Sequence, residues 1–501
     1  MRIESFLAHH GLSQNPFDAE EARDDPVFDR LADRATGHPD FAKILGRLER
    51  PTSAVIFGAK GSGKTAIRLL IERRVAEHNA ACPARKTLLV AYDQLDPVID
   101  QVLGRQRSKS SGKQQVPTDE GLAKLRLADH QDAICSLAVT QLVESILDPP
   151  GARPASSGPT RRLKSIRRPL RVDLAVLAAL YDQAPGADAP TRWRKLCSRL
   201  RLRWLPLLGL LQVVAMAATV AAVGLLFASV RLWGGITAAA ALMLWVLWIG
   251  RRLTVWNLVR KIHHQMPAID RSEADLRQML GRMSRGDLLR QPWPMPGVDS
   301  CNSRYEWTGR LLGVLRQLDY SGIMVLVDRV DEPTLVSGNP QHMRSIVWPM
   351  LDNKFLQQAG VGIKLLLPLE LRHLLVRESP QFFEEARLDK QNLIDRLVWS
   401  GSTLYDLCSL RLAACSTSDN GSGCLMDLFA EEVSRDLIID TLDAMQQPRD
   451  AFKFLYGLIQ EHCRLVTDDQ QSFRIARLTV DNVRRQQALR VEEFQRGLGP
   501  G

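Results

Sequence analysis

The sequence predicts an α/β fold on a parallel sheet, with a two-helix transmembrane hairpin inserted in the middle of the chain and a helical region at its C-terminal end. Three observations carry this prediction. Short apolar runs alternate with helical segments, a glycine-rich loop follows the first of these runs, and two long apolar stretches lie near the centre of the chain. Alternation of strands and helices is typical of a parallel sheet whose two faces are covered by helices.

Four apolar runs are the predicted strands of this sheet. They occupy residues 54–57, 87–92, 322–327 and 362–367, and Pro368 closes the last of them. Each run is short and mostly apolar, which is typical of a strand that is buried on both faces. We therefore expect a parallel sheet in the core, with the helical segments packed on either side.

A glycine-rich loop follows the first predicted strand. From Gly58 to Thr65 the sequence is Gly-Ala-Lys-Gly-Ser-Gly-Lys-Thr, and a helical segment begins at Ala66. Glycines let backbone N–H groups surround phosphates, Lys64 reaches the β and γ phosphates, and Thr65 offers a hydroxyl to Mg²⁺. The predicted nucleotide contacts are Gly58, Ala59, Lys60, Gly61, Ser62, Gly63, Lys64, Thr65 and Ala66. An ordinary glycine-rich turn is the alternative interpretation.

Three carboxylates follow the third predicted strand. Ligands of open α/β sheets bind beyond the carboxyl ends of the strands, and Asp328, Asp331 and Glu332 lie in such a place. We expect Asp328 to bind Mg²⁺, directly or through water. Glu332, with Asp331 as its rival, is expected to polarise the water that attacks the γ phosphate, because phosphoryl transfer depends on positioning. Acidic residues also form ordinary turns, which is the alternative.

Two apolar stretches predict the membrane hairpin. Residues 205–230 contain only Gln212 and Ser229 as clearly polar side chains, and at about 1.5 Å per residue they exceed a hydrocarbon core of roughly 30 Å. Residues 232–249 carry no charge and are long enough to return. Tryptophans, which prefer the membrane interface, lie near the ends at Trp204, Trp233, Trp245, Trp248 and Trp256. A pair of buried helices in a large soluble core is the alternative.

The formal net charge of +10 is concentrated beside this hairpin. Two basic runs precede the first apolar stretch: Arg161, Arg162, Lys164, Arg167, Arg168 and Arg171, then Arg192, Arg194, Lys195, Arg199, Arg201 and Arg203. Arg251 and Arg252 follow the second stretch, so basic residues crowd both outer flanks, and both termini are predicted to be cytoplasmic. This placement favours contact with membrane lipid over nucleic acid, which remains the less favoured partner.

The two motifs and the inserted hairpin resemble the KAP and related STAND-type P-loop NTPases, which are AAA-related bacterial ATPases. The resemblance covers most of the chain. The second motif ends Asp328-Arg-Val-Asp-Glu332, which is closer to the Asp-x-hydrophobic-Asp-Glu pattern of STAND relatives than to the Asp-Asp-Leu-Asp-Arg of KAP members. The resemblance implies a P-loop NTPase fold, binding of ATP with Mg²⁺, and a helical lid after the nucleotide-binding domain.

Further residues are assigned by the same kind of resemblance. Residues 11–17 with Gly37-His38-Pro39 are similar to the lead-in of secretion-type AAA ATPases, which lies beside the adenine; an ordinary turn and helix is the alternative. Gln447-Pro448-Arg449-Asp450 resembles the start of a lid helix in which Arg449 senses the γ phosphate, although Pro448 also suits any helix start. Arg396 is a candidate arginine finger for a neighbouring subunit, or a surface arginine without such a role.

The predicted organisation has six segments. They are residues 1–103 (lead-in and first part of the NTPase domain), 104–200 (linker, helical insert and basic arm), 201–252 (transmembrane hairpin), 253–300 (helical return), 301–415 (second part of the NTPase domain) and 416–501 (helical lid). The predicted function is an ATP-dependent switch or motor on the cytoplasmic face of a bacterial inner membrane, with a homo-oligomer or another protein as partner. The alternatives are an ATP-binding membrane scaffold and a defence effector with little turnover.

Overall fold

The structure is a computed structural model that describes residues 1–19, 22–31, 38–109, 121–147, 166–186, 188–202, 207–227, 231–265, 271–284, 286–287, 301–417, 423–466 and 472–495. Several residues named above lie outside these ranges: Gly37, Arg161, Arg162, Lys164, Arg203, Trp204 and Ser229. The described residues form an α/β protein with mostly helical content.

A five-stranded sheet confirms the α/β part of the predicted fold class. Its strands are β1 (Ala54–Gly58), β2 (Lys86–Tyr92), β3 (Tyr320–Val327), β4 (Val361–Pro368) and β5 (Asn392–Ile394), in the order β2-β3-β4-β1-β5. Strand β1 pairs in parallel with β4 and with β5, and β2 pairs in parallel with β3. All residues of β1 and β4 are buried, as expected for strands covered on both faces. The four predicted strands are present, and β5 is an addition.

The chain divides into two compact units. The terminal unit comprises residues 1–48, 53–78 and 364–501, and the central unit comprises residues 49–52 and 79–363. The predicted second half of the NTPase domain, residues 301–415, therefore contributes to both units.

Helices from both ends of the sequence form the core of the terminal unit. The helices before the central unit are α1 (Ile3–His9), α2 (Pro26–Leu31), α3 (Phe41–Leu45) and the first part of α4 (Lys64–Ala81). The helices that come after the central unit in the chain are α15 (Leu369–Leu375), α16 (Pro380–Ala386), α17 (Gly401–Ala414), α18 (Arg435–Met445), α19 (Pro448–Leu465) and α20 (Arg477–Gln495). One apolar cluster joins Phe6 and Phe17 to Leu404, Phe454 and Leu458. The predicted C-terminal helical region is thus present.

The central unit is largely helical around β2 and β3. Its helices are α5 (Asp96–Lys109), α6 (Leu127–Leu147), α7 (Arg168–Tyr181), α8 (Ala189–Arg199), α9 (Leu207–Phe227), α10 (Arg231–Gln265), α11 (Glu273–Leu280), α12 (Asn302–Gln317), α13 (Pro340–Val347) and α14 (Asn353–Leu356). Helix α6 buries even the polar residues Asp129, His130 and Asp132 near its start. A buried ion pair of 3.0 Å between Asp132 and Arg304 makes this burial tolerable.

Helices α9 and α10 occupy the two apolar stretches. Within the described residues Trp233–His263 is long and apolar enough to cross a membrane, whereas Gly209–Leu225 is a shorter apolar helix. Length and composition therefore support one of the two predicted spans. The first span was predicted to include residues 205–206 and 228–230, which lie outside the described ranges.

Helix α10 continues through Arg251 and Arg252, where the hairpin was predicted to end, and reaches Gln265. Arg251 donates to the carbonyl oxygens of Gly281 and Met283, and the Arg252 guanidinium lies 4.9 Å from the centre of the Trp248 ring. Both cations thus lie within one continuous helix, and the end of the membrane hairpin at these residues stays a prediction.

Part of the basic surplus has a structural role in the central unit. Arg192 forms an ion pair of 2.9 Å with the buried Asp182, and Arg168 forms one of 3.0 Å with Asp287. Arg171 donates to the Leu200 carbonyl oxygen at 3.0 Å. These arginines belong to helices α7 and α8, so the predicted basic arm is in part a packed helical region.

Candidate functional site

The glycine-rich loop connects β1 to α4 in the terminal unit. Strand β1 ends at Gly58 and α4 begins at Lys64, which is the predicted strand–loop–helix arrangement. Gly61 has φ +91° and Gly63 has φ +94°, values that glycine adopts at little steric cost. The Ile67 N–H donates to the Gly63 carbonyl at 2.9 Å, so Gly63 stands at the start of the helix. Its position leaves the first N–H groups of α4 directed out of the helix end.

The Lys64 ammonium lies across this loop. Its Nζ donates to the Gly58 carbonyl at 2.7 Å and to the Ala59 carbonyl at 3.1 Å. The cation is therefore held at the loop by backbone oxygens, and a phosphate would compete for the same donor. Lys60 is exposed on the loop, whereas Thr65 and Ala66 are half-buried in the first turn of α4.

Ser62 occupies the tightest point of the loop. Its side chain is fully buried, and its hydroxyl has no hydrogen-bond partner among the residues that the structure describes. A Cβ placed on Gly58 would lie 2.4 Å from Ser62 Oγ, which is closer than real contacts allow. Glycine at position 58 is thus required for the close approach of the Ser62 side chain.

Two segments of the terminal unit cover the loop. The Trp399 indole N–H donates to the Ser62 carbonyl at 2.9 Å, and the Arg449 backbone N–H donates to the Gly61 carbonyl at 3.4 Å. A Cβ placed on Gly61 would lie 2.9 Å from Arg449 Cβ. The predicted lid residue Arg449 is therefore adjacent to the glycine-rich loop, at the first turn of α19.

Trp399 is a site residue that the sequence did not reveal. It follows Val398 and precedes the N-cap Ser400 of α17, with no local motif to distinguish it. The predicted finger Arg396 lies nearby and donates to the Gln446 side-chain oxygen at 3.1 Å, within its own chain. A role for Arg396 toward a neighbouring subunit stays a prediction.

His38, from the predicted lead-in, supports the Trp399 segment. Its Nε2 is 2.9 Å from the Val398 carbonyl oxygen, and its ring stands edge-on to the Trp399 ring with centroids 5.1 Å apart. Burial lowers the pKa of His38 below its usual value, against the opposing effects of the hydrogen bond to the Val398 carbonyl and of Asp40. The imidazole is accordingly neutral at pH 7 and can donate this hydrogen bond from Nε2.

The rest of the lead-in packs against the end of α17. Leu12 forms an isolated antiparallel bridge with Ser416, and the Ser13 N–H donates to the Cys415 carbonyl at 2.8 Å. These contacts give residues 11–17 a structural role in the terminal unit. Their predicted place beside an adenine stays a prediction.

The predicted acidic residues lie at the end of β3 in the central unit. Asp328 follows Val327 directly and is 3% exposed, so its carboxylate is placed at a strand end within the protein. Glu332 faces outward and forms an ion pair of 3.1 Å with Arg329, whose φ of +60° turns the chain. Asp331 is exposed and its carbonyl accepts from the Gly338 N–H at 3.0 Å.

The start of α4 presents donors for an anion. Backbone N–H groups at a helix start and the Lys64 ammonium are ligands for an anion. Within the described ranges no group of three or more His, Cys, Asp or Glu residues could hold a metal ion. The predicted binding of Mg²⁺ stays a prediction.

Comparison with known protein families, with curated proteins and with solved structures finds no match to this chain.

Proposed function

We propose that this chain is a Mg²⁺-dependent P-loop ATPase of the KAP-like or STAND type, anchored to a bacterial inner membrane and acting as an ATP-dependent switch or motor on its cytoplasmic face. The observation that carries the proposal is the geometry of residues 58–64. Strand β1 leads into a loop with left-handed glycines at positions 61 and 63, and α4 begins at Lys64. This is the arrangement that surrounds a polyphosphate with backbone donors.

The proposed binding step uses groups of the terminal unit. Phosphate oxygens accept hydrogen bonds from the N–H groups at the start of α4 and from the Lys64 ammonium. To reach the phosphate, the ammonium gives up its hydrogen bonds to the Gly58 and Ala59 carbonyls. Arg449, at the start of α19, is the proposed partner of the terminal phosphate. Lys64 supplies positive charge and Arg449 reports whether the γ phosphate is present.

The proposed hydrolytic step uses the carboxylates beyond β3. Thr65 and Asp328 are the proposed Mg²⁺ ligands, and the ion would neutralise charge that develops on the phosphates. Glu332, with Asp331 as its rival, orients the attacking water. Because Glu332 is paired with Arg329 at 3.1 Å, this pair has to separate before Glu332 can act. Slow basal hydrolysis is therefore expected.

Membrane anchoring is supported by the inside-out pattern of α9 and α10. Ala215, Ala222 and Ala241 are buried, whereas large apolar side chains face outward. The outward side chains are Leu210, Val213, Val214, Met216, Val220, Val223, Phe227, Trp233, Ile236, Leu242, Met243, Val246, Leu247, Ile249, Leu253 and Trp256. Soluble surfaces rarely carry an apolar patch of this extent, whereas small residues between helices and large ones toward lipid are typical of membranes.

ATP hydrolysis by the purified full-length chain in detergent tests the enzymatic proposal. The wild type is compared with Lys64→Ala, Glu332→Gln and Asp331→Asn, and ATP binding is measured in parallel. We expect Lys64→Ala to lose binding and Glu332→Gln to bind without hydrolysing. The exposed Lys390 provides a matched control, since Lys390→Ala removes a lysine of the same unit outside the loop. Turnover that survives Glu332→Gln and is lost in Asp331→Asn would transfer the role to Asp331.

A membrane scaffold or defence effector that binds ATP with little turnover is the second candidate. The Arg329–Glu332 ion pair favours it, because the pair occupies the carboxylate proposed to orient water. This candidate predicts ATP binding that depends on Lys64 together with no measurable hydrolysis, in detergent and in lipid. Hydrolysis abolished by Glu332→Gln would exclude it.

A further inference from the structure

Trp399 packs against residues 58–65, the glycine-rich phosphate loop. Its indole N–H donates to the Ser62 carbonyl at 2.9 Å in a buried contact, and a Cβ placed on Gly63 would lie 3.7 Å from its ring. The side chain is 6% exposed. Of the ten tryptophans in the sequence, the other nine fall between residues 193 and 348, so Trp399 alone belongs to the terminal unit.

The bond to Ser62 fixes the direction of one peptide group. The Ser62 carbonyl and the Gly63 N–H belong to the same planar trans peptide and therefore point in opposite directions. Because Trp399 holds the carbonyl, the Gly63 N–H is turned away from the indole. That N–H precedes α4 and is one of the donors that have no acceptor within the helix. Donors of this kind bind phosphate at helix starts.

The same segment is joined to the turn between α18 and α19. The Trp399 backbone N–H donates to the Gln446 carbonyl at 3.3 Å, and Arg396 donates to the Gln446 side chain at 3.1 Å. Three residues later the Arg449 N–H donates to the Gly61 carbonyl at 3.4 Å. The Gly61 and Ser62 carbonyls thus accept hydrogen bonds from Arg449 and Trp399, and the segments that contain these two residues are themselves hydrogen-bonded through Gln446.

We infer that Trp399 is a positioning residue for nucleotide binding: it orients the Gly63 N–H toward the phosphates and couples movement of the phosphate loop to the turn between α18 and α19. The inference rests on the proposed function, since it requires the loop to bind ATP. Trp399 acts through the Ser62–Gly63 peptide and touches no phosphate itself. Loss of its N–H leaves the peptide free to rotate, so the donor is no longer held in place.

The substitution Trp399→Phe tests the binding role, because it keeps an aromatic ring beside Gly63 and removes the donor. Binding of ATP and of pyrophosphate to the full-length chain is measured by calorimetry. We expect both dissociation constants to rise by the same factor, roughly 3- to 10-fold, which corresponds to the net contribution of one hydrogen bond. Trp348→Phe, in the central unit, is the matched control and keeps wild-type affinity. Thermal unfolding of each variant reports whether the fold is retained.

Hydrogen exchange of the wild type tests the coupling without any substitution. Saturating ATP should slow exchange in residues 58–65 together with residues 396–399 and 446–449. Protection of the loop without change in the other two segments contradicts the coupling, and this measurement decides the inference if Trp399→Phe does not fold. A folded Trp399→Phe variant with wild-type affinity contradicts the inference and leaves the proposed function intact. A wild type that binds neither ATP nor pyrophosphate overturns both.

Discussion

The Ser62 hydroxyl is a buried polar group with no hydrogen-bond partner in the described part of the chain. Leaving such a group unsatisfied costs about 1–3 kcal/mol. The neighbouring Lys64 ammonium, by contrast, is satisfied by the carbonyls of its own loop. At the scale of single residues, an unsatisfied group of this kind is one that a bound ligand or water can satisfy.

Gly61 provides the sharpest test of the loop conformation. Replacing it with alanine introduces a side chain at φ +91°, and the new Cβ would meet Arg449 Cβ at 2.9 Å. We expect Gly61→Ala to lower the free energy of unfolding by about 1–3 kcal/mol and to weaken ATP binding. Denaturant titration and calorimetry measure the two effects. Gly309→Ala is the control, since helix α12 leaves open space there and alanine should stabilise it by roughly 0.5–1 kcal/mol.

His10 and His462 predict how stability of the terminal unit depends on pH. Burial is the main cause that lowers the pKa of each below 6.5, and the hydrogen bonds to the Phe473 and Ser472 carbonyls oppose it. The folded state therefore disfavours protonation of both imidazoles. Their contribution to the free energy of unfolding is fully present above pH 6.5 and is lost as the pH decreases through the pKa of the folded state. We expect a lower free energy of unfolding at pH 5.5 than at pH 7.5.

His462→Gln should reduce this loss, because it removes one titrating group and keeps a polar side chain. The comparison is made by urea unfolding at both pH values. An equal loss in the variant and in the wild type would assign the pH dependence to other groups. Exposed His373, in helix α15, gives the control substitution His373→Gln.

The residues of the glycine-rich loop could be predicted from the local sequence. Residues that contact this loop from distant parts of the chain could not. Residues 58–65 were predictable because their glycines and lysine have a fixed spacing that the phosphate chemistry requires. Trp399 contacts Ser62 across 337 positions of sequence, and only the folded chain brings them together. Arg449 was found through resemblance, and its backbone contact with Gly61 could not be predicted from residue type.

At the scale of elements, the surface of α9 can be tested with one charge. Val220 is 72% exposed on α9, the helix whose length and composition fall short of a span in the described residues. If lipid covers this surface, Val220→Lys should disfavour insertion by about 2.5–3.5 kcal/mol. We expect a reduced membrane fraction of the expressed protein after alkaline extraction.

The matched control is Val376→Lys in the terminal unit, where the valine is 62% exposed and lies outside α9 and α10. Exposed substitutions of this kind usually change stability by less than about 0.5 kcal/mol. Unchanged membrane association of Val220→Lys would place the outer surface of α9 in water.

The buried ion pair between α6 and α12 predicts a large effect on stability. Asp132 and Arg304 are 3.0 Å apart, both nearly inaccessible to solvent, and the Tyr181 hydroxyl donates to Asp132 at 3.0 Å. Removing one partner leaves an uncompensated buried charge, so Asp132→Ala should cost about 3–5 kcal/mol in denaturant unfolding. The exposed pair of Arg277 and Glu273 in α11 provides the contrast, and Glu273→Ala should cost less than about 1 kcal/mol. Similar costs for both would contradict the effect of burial.

Elements were predictable where the local pattern matches their environment. Strands β1 to β4 were found because each contains a short, mostly apolar run. Strands β1 and β4 are buried throughout, whereas β2 includes the exposed Ala91. Strand β5 has three residues and therefore no detectable period. The polar residues at the start of α6 are buried: His130 pairs with Tyr92 of β2 and Asp132 with Arg304 of α12. Contacts between residues that are distant in sequence cannot be predicted from a short stretch of sequence.

At the scale of the whole molecule, the number of membrane crossings decides which parts of the chain share a compartment. With two spans, residues before 203 and after 266 both lie in the cytoplasm, as predicted from the basic flanks. A reporter enzyme that is active only outside the cytoplasm is inserted after residue 230 and, separately, at each end of the chain. Activity only for the insertion after residue 230 supports two spans. Activity at one terminus supports a single span.

Helix α10 has a mechanical consequence. Its 35 residues extend for about 52 Å, well beyond a hydrocarbon core of roughly 30 Å. Arg251 ties the middle of this helix to the carbonyls of Gly281 and Met283, beyond the end of α11. The helix is therefore attached near its middle, through Arg251, to the segment that follows α11. Tilting or sliding of its apolar half by one turn, about 5.4 Å, would displace α11 by a comparable distance. If α10 crosses a membrane as proposed, such a helix would convert bilayer thickness into a position within the central unit.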